Sequence, residues 1–298
     1  MKNKKLIGRG SLVLTTMIWG TSFVILKSAL DDITPFWVLS VRFGGAALIM
    51  LLAAIPRLKS IDKDYLRGGA LMGALLCAAY AVQTYGLANT TPGKNAFLTA
   101  TYCIMVPFLN KLLRGKKLTK YNVSAAFLCL LGIGFVCLGK DLSINVGDVL
   151  TVICGLFYGL HIIATDKYAR YRDPLLLTLL QFVTAAVLCF VFALLFEPMP
   201  HAVPKSSWID IAYLTVMCTG VCFFLQTVGQ KYTPPAAAAV IMTLESVFGT
   251  LLSILLGQED LKPGIILGFC LIFISIIISE TKLKFLRKNT DTEIQKDS

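Results

Sequence analysis

This 298-residue chain is short of charge. Asp, Glu, Lys and Arg together supply 15% of it, against about 25% in soluble domains. Histidine is scarcer, with two residues in the whole chain, which leaves little acid–base chemistry for an enzyme near neutral pH. No H-E-x-x-H or G-x-G-D pattern occurs, and no G-x-x-x-x-G-K-[ST] loop that would cradle a nucleoside triphosphate. There are nine cysteines but no C-x-x-C. Cys218 and Cys222 stand one helical turn apart with no His or acid beside them, so the cysteines read as small apolar packing residues rather than metal ligands or disulfides. These absences argue against an ATP-driven machine, a metalloenzyme and a disulfide scaffold. No catalytic residue, metal or cofactor is expected.

What the chain has in excess is apolar side chain, 56% of its residues, with a mean hydropathy of +0.73. The apolar residues fall in ten runs, approximately 11–29, 36–55, 69–88, 95–113, 121–139, 147–165, 174–196, 209–229, 236–257 and 263–280. Each approaches the roughly 20 residues needed to cross about 30 Å of hydrocarbon. Backbone polar groups in lipid must be satisfied within the segment, which open strands cannot do, so the runs predict ten transmembrane helices. Short connections leave almost no soluble mass. The opening "MKNKKLIGRG" and its following run are similar to a secretory leader. The run is longer than a leader's apolar region, no A-x-A site follows, and nine more spans come after it, so it is expected to remain as the first span.

The formal net charge is +11, and its distribution explains it without nucleic acid. With the N-terminus in the cytoplasm and the spans alternating, 22 Lys and Arg residues fall on the inner side and four, Lys94, Lys140, Lys205 and Lys262, on the outer. Lys27 and Arg42 lie within spans. This split predicts a multi-pass protein of the inner or plasma membrane with both termini cytoplasmic. The basic run "KLKFLRKN" near the C-terminus reads as a topology determinant.

The chain also repeats itself. Shifted by 143 residues, "QTYGLANTTPGKNAF" from Gln83 lies over "QTVGQKYTPPAAAAV" from Gln226. Shifted by 139, Gly20, Pro35, Phe43, Ala46 and Ala47 lie over Gly159, Pro174, Phe182, Ala185 and Ala186. Two five-helix halves are expected, 1–142 and 143–298. Five is odd, so the halves enter the membrane from opposite sides. The loop "RGKKLTK" after span four has the acidic counterpart "GQEDLKP" after span nine, as this inversion requires. Two inverted repeats around a central cavity are a mark of secondary transporters; a channel or an enzyme scaffold could be duplicated in the same way.

Three stretches carry a family resemblance: "WGTSF" (19–23), "YGLANTTPGKNAFLTATYCIMVPFLNKLLRGKKLT" (85–119) and "YTPPAAAAVIMTLESVFGTLLSILLGQEDLKPGIILGFCLIFISI" (232–276). In order, spacing and duplication the chain resembles a ten-helix, EamA-type member of the drug/metabolite transporter superfamily. The resemblance implies export or exchange of a small molecule by alternating access, without ATP. The family's cargo ranges over amino acids, other metabolites, cationic drugs and riboflavin-like compounds. Two departures stand out. The usual Leu-Glu-Pro of helix nine is here Leu244-Glu245-Ser246, so its proline kink is expected to be missing, and Tyr158-Gly159 replaces a second Trp-Gly.

Glu245 is the only charged residue between Lys231 and Glu259. Ten residues past Pro235 it lies about 15 Å deep, where a charge costs at least ~2.5–3.5 kcal/mol. It is too short to snorkel out, so it must face the protein interior or a wet cavity. It could bind a cationic group, carry a coupling proton, or serve as a hydrogen-bonded structural acid beside Thr243 and Ser246. Arg42 could hold a substrate carboxylate, pair with Glu245 or snorkel outward. Lys27 is expected to snorkel. The amides Gln83 and Gln226 occupy repeat-equivalent positions and could line the cavity or bridge helices. Trp19, Tyr80, Tyr102 and Tyr158 are candidates for an aromatic wall able to hold an ammonium, and Tyr102 overlies Glu245 in the 143-residue shift. His161 reads as structural. The turn "TTPGKN" could favour anions at its helix N-terminus.

The expectation is a secondary transporter of a small-molecule substrate such as an amino acid, working in the lipid bilayer, with protons as a possible coupling ion, as a monomer or weak dimer. The alternatives are an exporter of cationic amphiphiles, a passive channel, for which rings of charge are lacking, and a membrane enzyme.

Overall fold

The computed structural model describes residues 2–137, 145–258 and 262–281. The basic run 282–289, Lys140, the expected boundary at 142/143 and the acidic pair Glu259-Asp260 lie outside the described residues. Every regular element among the described residues is helical: α1 (Lys2–Ala29), α2 (Pro35–Ala54), α3 (Lys63–Ala88), α4 (Pro92–Thr99), α5 (Tyr102–Arg114), α6 (Lys120–Cys137), α7 (Val146–Ala169), α8 (Pro174–Phe196), α9 (Lys205–Tyr213), α10 (Cys222–Tyr232), α11 (Pro235–Met242), α12 (Leu244–Leu255) and α13 (Pro263–Thr281). A 3₁₀ turn (Ile55–Ser60) follows α2, and a π turn (Leu214–Val221) joins α9 to α10.

The helix starts follow from local chemistry. Prolines open α2, α4, α8, α11 and α13, where the first turn needs no N–H and a fixed φ helps. Asp62 accepts from the N–H groups of Asp64 and Tyr65 ahead of α3, Asn145 from Gly147 ahead of α7, and Asp173 from Leu175 ahead of α8. α2 borrows its cap from a distant segment. Glu197, at the end of α8, accepts from the N–H groups of Phe36 (2.9 Å) and Trp37 (3.1 Å) and from the Thr34 hydroxyl (2.7 Å).

Among the described residues, eight segments are long and apolar enough to cross a membrane, and α6 and α13 hold two shorter apolar helices, Lys120–Phe135 and Pro263–Ile278. Three of the ten expected spans are interrupted. The fourth is divided into α4 and α5, the eighth into α9, the π turn and α10, and the ninth into α11 and α12. Hydropathy reports an apolar run but not the backbone competition inside it, which is why the breaks are new.

The helices pack as a bundle. α1 lies against α10 and α12, α2 against α8, α3 against α7 and α8, α4 against α12 and α7, and α6 against α13. Two crossings are closed by facing glycines. A Cβ on Gly86 would stand 2.6 Å from Thr151 Oγ1 and 3.0 Å from the Gly147 carbonyl. A Cβ on Gly229 would stand 2.6 Å from Leu12 Cγ and 3.0 Å from the Gly8 carbonyl. Only hydrogen fits at such distances, and small residues of this kind let membrane helices approach. Of the cysteines, Cys270 is exposed, while Cys77 on α3 and Cys189 on α8 bring their free thiols to 3.4 Å.

Candidate functional site

The breaks in α4–α5 and α11–α12 place the site. At Thr243 the hydroxyl donates to the Val240 carbonyl (2.6 Å), the Ser246 hydroxyl donates to the Thr243 carbonyl (2.7 Å), and the Ser246 N–H bonds back three residues to Thr243. Hydroxyls competing for main-chain carbonyls unsettle the regular ladder. The proline of Leu-Glu-Pro is absent, and the helix is nevertheless interrupted between Met242 and Leu244, where Thr243 and Ser246 make these bonds. The fourth span breaks at Ala100–Thr101, which is 143 residues earlier. There Thr101 Oγ1 donates to the Leu98 carbonyl (2.6 Å), and Pro107, nearly two turns on, supplies no N–H to the helix.

Each break is followed by a functional candidate. Tyr102 opens the first turn of α5, and Glu245 lies in the first turn of α12. They meet: the Tyr102 hydroxyl donates to Glu245 Oε1 at 3.4 Å, with Tyr102 3% and Glu245 6% exposed. Both line an internal cavity of about 30 Å³, room for a single water. Trp19, Tyr80, Gln83, Tyr158 and Gln226 line it too, with Ser22, Phe23, Ile162 and Met242 completing the wall. Seven of the eight candidate residues are thus gathered in one place. Eight of the lining residues form four pairs at the sequence offsets noted above: Trp19 with Tyr158, Phe23 with Ile162, Gln83 with Gln226, and Tyr102 with Glu245.

The surrounding bonds hold these groups in place. Gln83 both lines the cavity and bridges helices, donating to Thr99 Oγ1 (3.0 Å) and accepting from the Tyr158 hydroxyl (2.7 Å). Gln226 lines the cavity with its Oε1 buried and unpartnered. Trp19 donates from Nε1 to the Cys218 carbonyl (2.8 Å) in the π turn. A widened turn of this kind frees carbonyls from the α ladder. Tyr80 stacks edge-on against Tyr158, ring centroids 5.7 Å apart.

Arg42 is the candidate that stands apart. It does not line the cavity, makes no ion pair with Glu245 and does not snorkel. It is 1% exposed, its guanidinium lies 5.1 Å from the Tyr80 ring centre, Nε donates to Thr219 Oγ1 (3.2 Å), and Nη1 and Nη2 have no hydrogen-bond partner among the described residues. Lys27 does not simply reach for water either. Its ammonium donates to the carbonyls of Leu87 (2.8 Å), Ala88 (2.9 Å) and Thr90 (3.1 Å), capping the end of α3. His161 is half satisfied, with Nε2 2.9 Å from Gln181 Oε1 and Nδ1 unpartnered. The anion near the "TTPGKN" turn is the protein's own. Asp148, fully buried, accepts from Thr90 Oγ1 (2.5 Å) and Lys94 Nζ (3.1 Å).

Sequence reasoning passed over Asp148, Glu197 and Asp166. Asp148 and Glu197 stand alone at the ends of apolar runs, "VGDVLTVICG" and "FALLFEPMP", and an acid in that setting is a signal that a partner waits on another helix.

The EamA-like transporter family matches the chain at residues 6–138 and again at 145–281. A protein of Archaeoglobus fulgidus named an uncharacterized transporter is 32% identical over 92% of this chain and 86% of its own. The uncharacterized transporter YoaV of Bacillus subtilis is 25% identical over 90% of this chain and 94% of its own, and the protein PecM of Dickeya dadantii is 22% identical over 91% of each. A crystal structure superposes with a TM-score of 0.70 over 96% of this chain and 99% of that one, at 17% identity, which is a likeness of fold. The chain belongs to the EamA-like transporters of the drug/metabolite transporter superfamily, and it is a multi-pass membrane transporter.

Proposed function

We propose that this protein is a secondary active exporter or exchanger of small metabolites such as amino acids, working by alternating access. It has ten membrane-crossing helices in two inverted five-helix repeats, 1–142 and 143–298, with both termini cytoplasmic. One observation carries the reading. Tyr102 and Glu245, equivalent in the repeat and drawn from opposite halves, meet in a buried cavity whose wall is largely made of equivalent pairs. The packing supports a two-fold relation between the halves. α2 on α8 and α6 on α13 exchange with themselves when the halves are swapped, α3 on α7 exchanges with α10 on α1, and the Gly86–Gly147 crossing exchanges with Gly229–Gly8. Rocking of one half against the other about this axis would open the cavity to each side in turn.

In this reading Glu245 receives the substrate's ammonium or a coupling proton, and the aromatic wall of Trp19, Tyr80, Tyr102 and Tyr158 surrounds the apolar part. Arg42 lies across Tyr80 from the cavity with two free donors, placed for a carboxylate once the ring moves. That favours a zwitterion. The competing reading, an exporter of cationic amphiphiles, is favoured by the absence of Arg42 from the lining. Counterflow in proteoliposomes separates them. Saturable exchange of labelled leucine, competed by leucine but not by its decarboxylated amine or a quaternary ammonium, is the expected result. Absence of leucine counterflow beside saturable counterflow of a labelled quaternary ammonium would replace the amino-acid reading, and linear, unsaturable flux would point to a channel.

A further inference from the structure

A second concavity lies away from the central cavity. It is a groove of about 760 Å³, within the roughly 300–1,000 Å³ of ligand sites. Leu71 and Leu75 of α3, Leu113 of α5, and Leu160 and Ile163 of α7 form its apolar floor. The floor is open to the surroundings, Leu71 being 45% and Leu113 55% exposed. Its other end is basic. Arg114, Lys167 and Arg170 line it together with Asp166.

Asp166 does not cancel that charge. It is buried, and it takes Arg114 Nη1 on Oδ2 and Arg170 Nη2 on Oδ1, each at 2.8 Å. One carboxylate against three cations leaves two positive charges. Asp166 thereby fixes two guanidiniums from different elements beside each other, while Lys167 rests on the Tyr168 ring, 5.3 Å from its centre. Tyr171, 83% exposed, stands at the same mouth. An apolar trough that ends in ordered cations and a tyrosine has the form of one ligand class, an acyl chain with an anionic head. Soluble metabolites would gain little from the trough, and a cationic amphiphile would meet repulsion at the head.

We propose that this groove is a binding site for an anionic phospholipid, with an acyl chain along α3, α5 and α7 and the phosphate at Arg114, Lys167 and Arg170. Basic pockets between membrane helices on the cytoplasmic side recognise such headgroups. The leaflet assignment rests on the orientation proposed above; the site itself does not. Because the phosphate would touch α5 and α7 together, the lipid ties the helix of Tyr102 to that of Tyr158.

Native mass spectrometry of the purified full chain, titrated with phosphatidylglycerol or phosphatidylcholine of the same acyl composition, tests this. The expected result is at least tenfold tighter binding of one phosphatidylglycerol, weakened by added salt. The Lys167→Gln/Arg170→Gln variant should bring the two lipids level. Leu75→Trp, which fills the trough and leaves the cations in place, should weaken both. Equal binding of the two lipids to wild type overturns the proposal. So does a preference that survives in the Lys167/Arg170 variant but disappears in Lys116→Gln/Lys117→Gln, which would move the head to the α5–α6 loop. If the first double variant is not monodisperse, Lys167→Gln alone and Leu75→Trp decide, and unchanged binding in both counts against the site.

Discussion

Glu245 and Tyr102 approach at 3.4 Å, near the limit of a hydrogen bond, so the hydroxyl orients the carboxylate loosely. Tyr102→Phe is therefore expected to lower counterflow by less than tenfold and leave it saturable. A loss as complete as that of Glu245→Gln would make Tyr102 a substrate ligand in its own right. Asp148 gives a sharper expectation. Its carboxylate is fully buried, and its partner Lys94 is 19% exposed. Removing one member of a buried pair strands the other, typically at 3–5 kcal/mol. Asp148→Asn should destabilise the protein by about 3 kcal/mol, seen as thermal unfolding in detergent, and Asp148→Asn with Lys94→Met should recover part of the loss. Additive losses would mean that the pair is not coupled. Of these residues Glu245 was legible from sequence, because a lone acid ten residues into an apolar run has few places to go. The place of Arg42 behind Tyr80 was not, because depth along a helix does not report which neighbours face it.

The interruptions carry the site at the scale of elements. Run length and hydropathy locate the eight segments long and apolar enough to cross a membrane among the described residues, yet they pass through 99–102 and 242–244 without a mark, since Thr and Ser are tolerated in apolar runs and act through carbonyls one turn away. Repeat alignment comes closer, because it places Tyr102 over Glu245 before either break is known. The glycine crossings make a testable pair. Alanine at Gly86 or at Gly229 would put a methyl 2.6 Å from Thr151 Oγ1 or Leu12 Cγ. Overpacking of this kind costs roughly 1–3 kcal/mol. Both variants should unfold at lower temperature than wild type, and wild-type stability in both would deny the close approach. At the start of α3, the Asp62 carboxyl is held below the ordinary aspartate range, first by the Tyr65 N–H and then by the Arg172 guanidinium. A folded pKa lowered in this way gives stabilisation that is complete above the unfolded value of about 4 and fades as pH falls through the folded value. The unfolding temperatures of wild type and Asp62→Asn should differ at pH 6 and converge below pH 4. A constant gap would remove the carboxylate from the account.

The whole molecule is read as two halves that differ in chemistry at equivalent points. Tyr102 faces Glu245, Trp19 stands where Tyr158 does 139 residues later, and the position 139 residues after Arg42 is Gln181. A substrate with two unlike ends needs such asymmetry, and the repeat supplies the matched backbone that displays it. If the carboxylate works because of where it stands relative to both halves, exchanging the pair should be tolerated. Glu245→Tyr alone is expected to abolish counterflow, and Tyr102→Glu added to it to restore part. The central claim, that the Glu245 carboxylate is a working group of the transport cavity, is tested most directly by leucine counterflow in proteoliposomes holding wild type or Glu245→Gln, both checked for monodispersity and equal reconstitution. The account predicts saturable counterflow in wild type and its loss in the variant. Normal counterflow by Glu245→Gln would contradict it and leave Glu245 a structural acid.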